Sequence, residues 1–272
     1  MLSHATRARD EADPGPGTTR ARDAAETREV AHRAPAERMI AGGTAIVDQV
    51  ESKPEDVGAR GHKRAPIADR KAREFLRNAD PVLARLIDAR PDFRPRAWMD
   101  ELPPLDAFGT LIFQVAGQQL SVPATRTIVS RIEQRFEGHL PSPAELLAAD
   151  PQVLRASGMS TRKGETLRAL AERFADGRLN DEALARMTDA EVEAVLTEVP
   201  GIGPWTARGF LLVGLDRPDV FLSGDLALRR AVQRIYGFDH SPSDEELAEL
   251  ADRWRPYRSL AVSYLFASEY DV

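Results

Sequence analysis

From Pro66 onward, the hydrophobic positions of the chain repeat with the period of an α-helix. Apolar residues recur there at spacings of three and four, as a helix with one buried face requires. Four such stripes are Ile128/Ile132/Phe136, Leu167/Leu170/Ala171/Phe174, Leu228/Val232/Ile235 and Leu247/Leu250/Ala251/Trp254. Only residues 219–222 alternate in the manner of a β-strand. The pattern predicts an all-α domain of about eight to ten short helices.

Capping residues mark the ends of the predicted helices. Ser142, Thr188 and Ser243 are each followed three residues later by a glutamate, the spacing of a capping box. In a capping box the hydroxyl and the carboxylate each accept a backbone N–H that the helix leaves unpaired. Three glycines stand where a left-handed residue would end a predicted helix: Gly138, Gly177 and Gly237.

Residues 1–65 differ in composition from the rest of the chain. None of the 17 aromatic residues precedes Phe75, whereas residues 1–65 contain 11 Lys/Arg and 11 Asp/Glu. Such a segment buries too little apolar surface to offset the entropy lost on ordering. We therefore expect a disordered tail at residues 1–65 and a folded domain at residues 66–272.

Composition excludes several kinds of site. The 272 residues include no cysteine, which excludes thiolate zinc sites, iron–sulfur clusters and cysteine nucleophiles. The five histidines are scattered, so no histidine-built metal site is expected. No apolar run approaches the roughly 18 residues of a membrane span, and no signal peptide is visible, so we expect a soluble intracellular protein. The net charge of −6 argues mildly against a nucleic-acid partner.

The most informative segment is residues 199–207, which read Val-Pro-Gly-Ile-Gly-Pro-Trp-Thr-Ala between two predicted helices. Gly201 and Gly203 permit a tight turn that exposes successive backbone N–H groups at the start of the second helix. A helix N-terminus of this kind can bind a phosphate without a lysine. An ordinary turn between two helices explains the same pattern.

Asp225 lies at the start of a later predicted helix. An aspartate at that position most often serves as an N-cap. The functional alternative is a carboxylate held beside a pocket that the glycine-containing turn helps to define. Taken alone, the residue fits both roles.

Together these segments resemble the helix-hairpin-helix DNA glycosylase superfamily, specifically its 3-methyladenine DNA glycosylase II group. The similarity runs from about Ala79 to Phe266. Its ordered landmarks are Gly117-Gln118-Gln119-Leu120-Ser121, residues 156–160 with Lys163, residues 200–207, Asp225 and residues 253–259. The resemblance implies two helical subdomains flanking a DNA-binding cleft. It also implies a hairpin that binds a phosphate near the lesion, through Gly201, Gly203 and Thr206.

The resemblance implies N-glycosyl hydrolysis of an alkylated purine that has been extracted from the base stack. The sugar departs through an oxocarbenium-like state, which a carboxylate stabilises, and Asp225 matches the family's catalytic aspartate. Trp205 and Phe266 would wall the base pocket, although core packing also explains both rings. Strand-cleaving relatives have a lysine where Trp205 stands, used to form a Schiff base, so we expect a monofunctional enzyme that leaves an abasic site.

Two further features concern the fit of the DNA. Gly209 departs from the tyrosine of some relatives, and the missing ring is expected to open the pocket or to change lesion preference. Gln119 and Leu120 are candidates for the side chain that fills the gap left by the flipped nucleotide, whereas Ser121 and Pro123 also fit a plain helix end. Three basic residues fit either phosphate contacts or solvated surface: Lys163, Arg229 and Arg230.

The resemblance also implies partners and a cofactor. Main-chain carbonyls of Thr197, Val199 and Ile202 match those that often hold a monovalent cation in the family, so Na⁺ or K⁺ is the one cofactor expected. The expected partner is double-stranded DNA containing alkylated bases. We expect a monomer that acts in the cytoplasm of a bacterium, associated with the nucleoid, or in the nucleus of a eukaryote. Two alternatives stay open: a related glycosylase for another damaged base, and a non-catalytic helix-hairpin-helix DNA-binding module.

Overall fold

A computed structural model describes residues 66–95 and 105–270, which belong to one compact unit, Asp56–Val272. These residues form thirteen α-helices and no β-strand, which confirms the all-α prediction. Residues 1–65, for which disorder is predicted, lie outside the described residues.

The helices are α1 (Pro66–Ala79), α2 (Pro81–Ala89), α3 (Ala107–Gly117), α4 (Val122–Arg135), α5 (Pro143–Ala148), α6 (Gln152–Ala156), α7 (Thr161–Ala175), α8 (Asp181–Arg186), α9 (Asp189–Thr197), α10 (Pro204–Val213), α11 (Leu226–Tyr236), α12 (Asp244–Asp252) and α13 (Arg258–Tyr270). The structure has more helices than the sequence predicts in part because α6 and α8 have only five and six residues. Such helices complete fewer than two turns and show no hydrophobic repeat. Across the described ranges, no helix has the length and apolar character that a bilayer span requires.

The predicted helix ends are confirmed. Capping boxes are present at Ser142, Thr188 and Ser243, each with both reciprocal hydrogen bonds. The three C-terminal glycines have left-handed φ angles of 90°, 80° and 74°, in the order Gly138, Gly177 and Gly237.

Eleven of the thirteen helices described pack in two groups. In the first group, α3 packs against α4, α7 and α10, while α5 and α6 contact α7, and α9 contacts α10. The second group combines helices from the two ends of the domain, since α13 packs against α1, α2 and α11. We call these the central group and the terminal group.

A buried carboxylate joins the helices of the terminal group. Asp80 is 1% exposed, and its Oδ1 accepts the N–H groups of Val82 and Leu83 at the start of α2. Its Oδ2 accepts the Tyr236 hydroxyl over 2.7 Å and the Trp254 indole N–H over 2.9 Å. Burial by itself raises the pKa of the Asp80 carboxyl, but these four hydrogen bonds outweigh burial and hold the pKa below its usual value of 3.8.

Residues 219–222, the one predicted strand, form an irregular connection that leads from α10 towards α11. Side chains of α13 form the hydrogen bonds with this segment that a neighbouring strand would form in a sheet. The Val220 N–H donates to Ser259 Oγ over 2.9 Å, and Arg258 Nε donates to Asp219 Oδ1 over 2.7 Å. The connection is therefore fixed on α13, which sets the position at which α11 begins.

Candidate active site

The turn between α9 and α10 is tight and requires a glycine. The Val199 carbonyl accepts the Ile202 N–H over 3.0 Å, and Gly201 has a φ of 92°. A Cβ at Gly201 would lie 2.0 Å from Thr166 Oγ1, so the backbone angle and the available space both exclude a side chain. The Thr166 hydroxyl lies 2.9 Å from the Pro200 carbonyl oxygen and holds the turn against α7.

The helix that follows the turn, α10, begins without a side-chain cap. Gly203 is its N-cap residue, whereas the preceding α9 and the following α11 both have capping side chains. Within the described ranges, the N–H groups of Gly201, Gly203, Trp205 and Thr206 donate to no protein acceptor. The positive end of the α10 dipole and these unpaired donors suit an anion such as a phosphate.

The Thr206 side chain has an internal role. Thr206 is 3% exposed, and its hydroxyl accepts a hydrogen bond from Gln118 Nε2 over 3.0 Å. The same nitrogen lies 3.0 Å from the Gly201 carbonyl oxygen. Because the Thr206 side chain is buried, only its backbone N–H is left for a phosphate, and Gln118 ties the turn to the loop that follows α3.

Lys163 fixes that same loop. Its Nζ donates to the carbonyls of Ala116 and Gln118 over 2.9 and 2.8 Å, and burial lowers the pKa of its ammonium group below the usual 10.5. The two arginine candidates for phosphate contacts are engaged in ion pairs, Arg229–Asp244 and Arg230–Glu269. All three basic residues considered for DNA contact thus have protein partners.

The loop after α3 presents two side chains outward. α3 ends at Gly117, and Ser121 caps α4 by accepting the Ala124 N–H over 3.4 Å, as a plain helix end requires, while insertion of Gln119 or Leu120 into DNA stays a prediction. Gln119, between them, has a left-handed φ of 61°, which is uncommon for a residue other than glycine. Gln119 and Leu120 are both exposed, which is what insertion into DNA would require.

Asp225 is the N-cap of α11 and also contacts the helix that follows the glycine turn, while its catalytic role stays a prediction. Its Oδ1 accepts the Leu228 N–H over 2.8 Å, which makes it the N-cap of α11. Its Oδ2 accepts the indole N–H of Trp205 over 3.0 Å. Because Trp205 lies on α10 of the central group and Asp225 begins α11 of the terminal group, the carboxylate lies where the two helix groups meet.

Trp205 is an exposed aromatic residue beside this carboxylate. It is 36% exposed, so it is not a core residue. Leu226, directly after Asp225, is 69% exposed and was not among the residues predicted from the sequence. The signal was available, because Leu226 lies off the buried stripe of α11. Of the exposed large hydrophobic residues described, all but Phe75 lie at or next to the starts of α4, α10 and α11: Leu120, Val122, Trp205 and Leu226.

The space beside Gly209 is occupied, contrary to the expectation of an opened pocket. Gly209 lies one turn after Trp205 on α10 and is buried. A Cβ built on it would lie 2.6 Å from Oε1 of Gln114, which comes from α3. The glutamine amide takes up room next to the glycine, so the missing tyrosine ring does not leave an empty space at this point.

Phe266 lies half-buried on α13, packed against the core. Core packing therefore accounts for part of its ring. The structure joins Trp205 to Asp225 through a hydrogen bond, and the role of Phe266 as a second wall of the same pocket stays a prediction.

The predicted cation site consists of backbone oxygens at the turn. In the described residues, no donor reaches the carbonyl oxygens of Thr197 and Ile202, while that of Val199 accepts a single N–H. These oxygens retain the lone pairs that a monovalent cation would need. The His, Asp and Glu side chains in the described ranges form no cluster of three suited to a metal ion.

Comparison with known proteins agrees with this geometry. A family model described as "HhH-GPD superfamily base excision DNA repair protein" matches residues 112–256. DNA-3-methyladenine glycosylase 1 of Schizosaccharomyces pombe is 30% identical over 198 residues, which cover 72% of this chain and 86% of the relative. DNA-3-methyladenine glycosylase 2 of Escherichia coli is 32% identical over 201 residues, which cover 69% of this chain and 64% of the relative.

Among solved structures, the S. pombe 3-methyladenine DNA glycosylase in complex with abasic DNA superimposes with a TM-score of 0.68 at 28% identity. The match covers 73% of this chain and 96% of that one. The fold, the glycine turn and the sequence matches lead to one assignment. The chain belongs to the HhH-GPD superfamily of base excision DNA repair proteins, within its 3-methyladenine DNA glycosylase group.

Proposed function

We propose that this protein is a monofunctional DNA glycosylase that removes alkylated purines of the 3-methyladenine type and leaves an abasic site for base-excision repair. The observation that carries the proposal is the Asp225 carboxylate, bound by the Trp205 indole N–H at the junction of the two helix groups. The two relatives and the solved structure described above are named as 3-methyladenine DNA glycosylases, which supports the substrate class.

The chemistry is a hydrolysis in which the base leaves before or as water arrives. The bond between C1′ of the sugar and the purine nitrogen breaks, and its electron pair neutralises the positive charge of the alkylated base. Water supplies the new C1′–O bond and loses a proton. The Asp225 carboxylate stabilises the positive charge that develops at C1′ and can orient the water.

Contact with DNA uses backbone donors and apolar side chains more than lysines or arginines. The unpaired N–H groups of Gly201, Gly203 and Thr206 at the start of α10 would bind one phosphate. The exposed Leu120, or Gln119 beside it, would fill the gap left by the extruded nucleotide. This arrangement explains how a chain with a net charge of −6 binds a polyanion.

Strand cleavage is not expected, because the site offers no amine for a Schiff base. Position 205 is a tryptophan whose indole N–H is bonded to Asp225. The described residues contain two lysines, of which Lys163 is bonded to two backbone carbonyls and Lys71 lies on the exposed face of α1. An abasic product with an intact strand follows.

We also propose a bound cation, an oligomeric state and a cellular location. The unpaired carbonyls of Thr197 and Ile202, with that of Val199, would hold Na⁺ or K⁺ and stiffen the turn. The protein would act as a monomer on double-stranded DNA, in the bacterial cytoplasm at the nucleoid or in the eukaryotic nucleus.

The deciding experiment incubates the protein with methylated duplex DNA and measures free 3-methyladenine and 7-methylguanine. We expect both bases to be released, with strand breaks only after heat and alkali treatment. Release together with breaks before that treatment would contradict the monofunctional assignment. No release, with DNA binding intact, would favour first another damaged base and then the non-catalytic DNA-binding module.

A further inference from the structure

One polar side chain of the central group has no assigned role. Gln114 is the single polar residue in the apolar run 111–116 of α3. Its side chain is half-buried and makes no hydrogen bond with any described residue. Its amide atoms are not among the buried atoms that lack a partner, so the amide reaches solvent. A half-buried amide that is open on one side is available to a ligand.

The position of this amide is defined by the antiparallel packing of α3 on α10. Gln118, the residue directly after α3, bonds to Thr206 in the first turn of α10. Gln114 therefore meets α10 one turn further along, where Gly209 leaves the space that Gln114 Oε1 occupies. Gly209 and Trp205 share one face of α10, because they are four residues apart. The amide thus contacts α10 one turn after Trp205, the residue whose indole N–H bonds to Asp225.

We propose that Gln114 is a specificity-determining residue that hydrogen-bonds the edge of the extruded purine. This inference rests on the proposed function. A glutamine amide offers one donor and one acceptor side by side, and it pairs with the N6 amino group and N7 of adenine. In 3-methyladenine both groups are unmodified. In 7-methylguanine the methyl group occupies N7, and only O6 is left to accept a hydrogen bond from Nε2. Gln114 thus favours 3-methyladenine over 7-methylguanine.

The test measures the ratio of the two bases released from one preparation of methylated duplex DNA. Because both substrates compete in the same tube, the ratio does not depend on enzyme concentration or on the fraction of folded protein. Loss of one neutral hydrogen bond corresponds to about a 3- to 10-fold change. We expect Gln114→Met, which keeps the volume and removes the amide, to lower the 3-methyladenine to 7-methylguanine ratio of kcat/KM by about that factor.

Two further variants distinguish the hydrogen bonds of the Gln114 amide from the volume of its side chain. Gln114→Ala should lower the ratio as Gln114→Met does, since both remove the amide. Gln134→Met makes the same change on the exposed face of α4 and should leave the ratio unchanged. An unchanged ratio in Gln114→Met, or a drop in Gln114→Ala alone, would overturn the inference, because Gln114 would then only fill space.

Gly209 provides a test that leaves the glutamine in the chain. In Gly209→Ala the new Cβ would lie 2.6 Å from Gln114 Oε1, so the amide must move. We expect the ratio to fall as in Gln114→Met, with no further fall when Gly209→Ala is added to Gln114→Ala. An equal fall in both backgrounds would overturn the role of the amide. No base release by the unaltered chain would overturn the proposed function itself, an outcome distinct from release with an unchanged ratio in Gln114→Met.

Discussion

The two oxygens of the Asp225 carboxylate accept hydrogen bonds from different helices: one from the indole N–H of Trp205 on α10 and the other from the backbone of α11. Trp205 binds Oδ2 over 3.0 Å, and the Leu228 N–H binds Oδ1 over 2.8 Å. One hydrogen bond comes from the central group of helices and the other from the terminal group. The orientation of the carboxylate therefore depends on how the two groups are packed, and Trp205 positions Asp225 in addition to any contact it makes with a base.

Asp225→Asn should abolish base release while leaving folding and DNA binding intact. Asparagine is as good an N-cap as aspartate, so α11 keeps its first turn, but the negative charge opposite C1′ is lost. We expect a fall of at least about 100-fold in the single-turnover rate of 3-methyladenine release.

The matched control for that variant is Asp150→Asn. Asp150 is exposed and accepts the Gln152 N–H at the start of α6, so the same chemical change is made away from the site. Its rate should equal that of the unaltered protein. Release by Asp225→Asn at a near-normal rate would show that another group stabilises the charge.

Trp205→Phe keeps an aromatic ring and removes the N–H that binds Asp225. We expect kcat to fall about tenfold, with DNA affinity little changed, because the carboxylate loses its orienting donor. In an Asp225→Asn background the same change should cost almost nothing, since Trp205 acts through the carboxylate. Equal losses in the two backgrounds would instead make Trp205 an independent contact to the base.

Gln118→Ala should loosen the hairpin. The variant removes the amide that lies 3.0 Å from both the Gly201 carbonyl oxygen and the Thr206 hydroxyl. We expect the free energy of unfolding to fall by about 1–3 kcal/mol, and DNA affinity to fall as well, because the backbone donors are held less firmly. Gln152→Ala, on an exposed position of α6, should alter neither quantity.

Leu120→Ala should slow the extrusion of the base from duplex DNA. Leu120 is 44% exposed, and its apolar side chain can replace the stacking that the departing base gives up. We expect about a tenfold lower rate of release from duplex DNA, with a smaller loss on single-stranded DNA, where little stacking must be broken. A larger loss in Gln119→Ala would assign the insertion to Gln119.

Asp80→Asn tests the buried network of the terminal group. Asparagine keeps one acceptor oxygen but places an NH₂ group among donors, so we expect a loss of about 3 kcal/mol in the free energy of unfolding near neutral pH. The native-state pKa of Asp80 is lowered, so its contribution is complete above the unfolded-state pKa and is lost as pH falls through the native-state pKa.

The difference between Asp80→Asn and the unaltered protein should therefore narrow below about pH 4. Denaturant titrations at several pH values measure it. Asp88→Asn, whose carboxylate is largely exposed and paired with Arg77, should change the free energy of unfolding by less than about 0.5 kcal/mol. A pH-independent difference in Asp80→Asn would mean that shape, and not charge, is what the site requires.

The sequence predicts the local features of this fold and misses those that depend on distant segments. Hydrophobic period correctly locates several of the longer helices, and the capping boxes correctly locate the starts of α5, α9 and α12, because both signals lie within a few residues of one another. The hydrogen bond between Trp205 and Asp225 spans 20 positions. The occupation of the Gly209 space by Gln114 joins two helices far apart in the chain. Neither could be inferred without the packing of the helix groups.

Lys163 is a second residue whose contacts could not be inferred from the sequence. The positive charge of a single lysine near the expected DNA face is compatible with a phosphate contact. The fold supplies the carbonyls of Ala116 and Gln118 as partners instead, because the C-terminal end of α3 lies against α7. Charge alone identifies what a side chain can bind, and the tertiary structure determines what it does bind.

The link from Asp80 to Tyr236 and Trp254 has a practical consequence for any shortened version of the protein. The family model begins at residue 112 and ends at residue 256, so α1, α2 and the whole of α13 fall outside it. A fragment cut at those limits would contain Asp225 and the hairpin but would leave Tyr236 and Trp254 without their acceptor. The smallest fragment that keeps the surroundings of Asp225 intact must therefore include Asp80. Asp80 lies about thirty positions before the start of the family match.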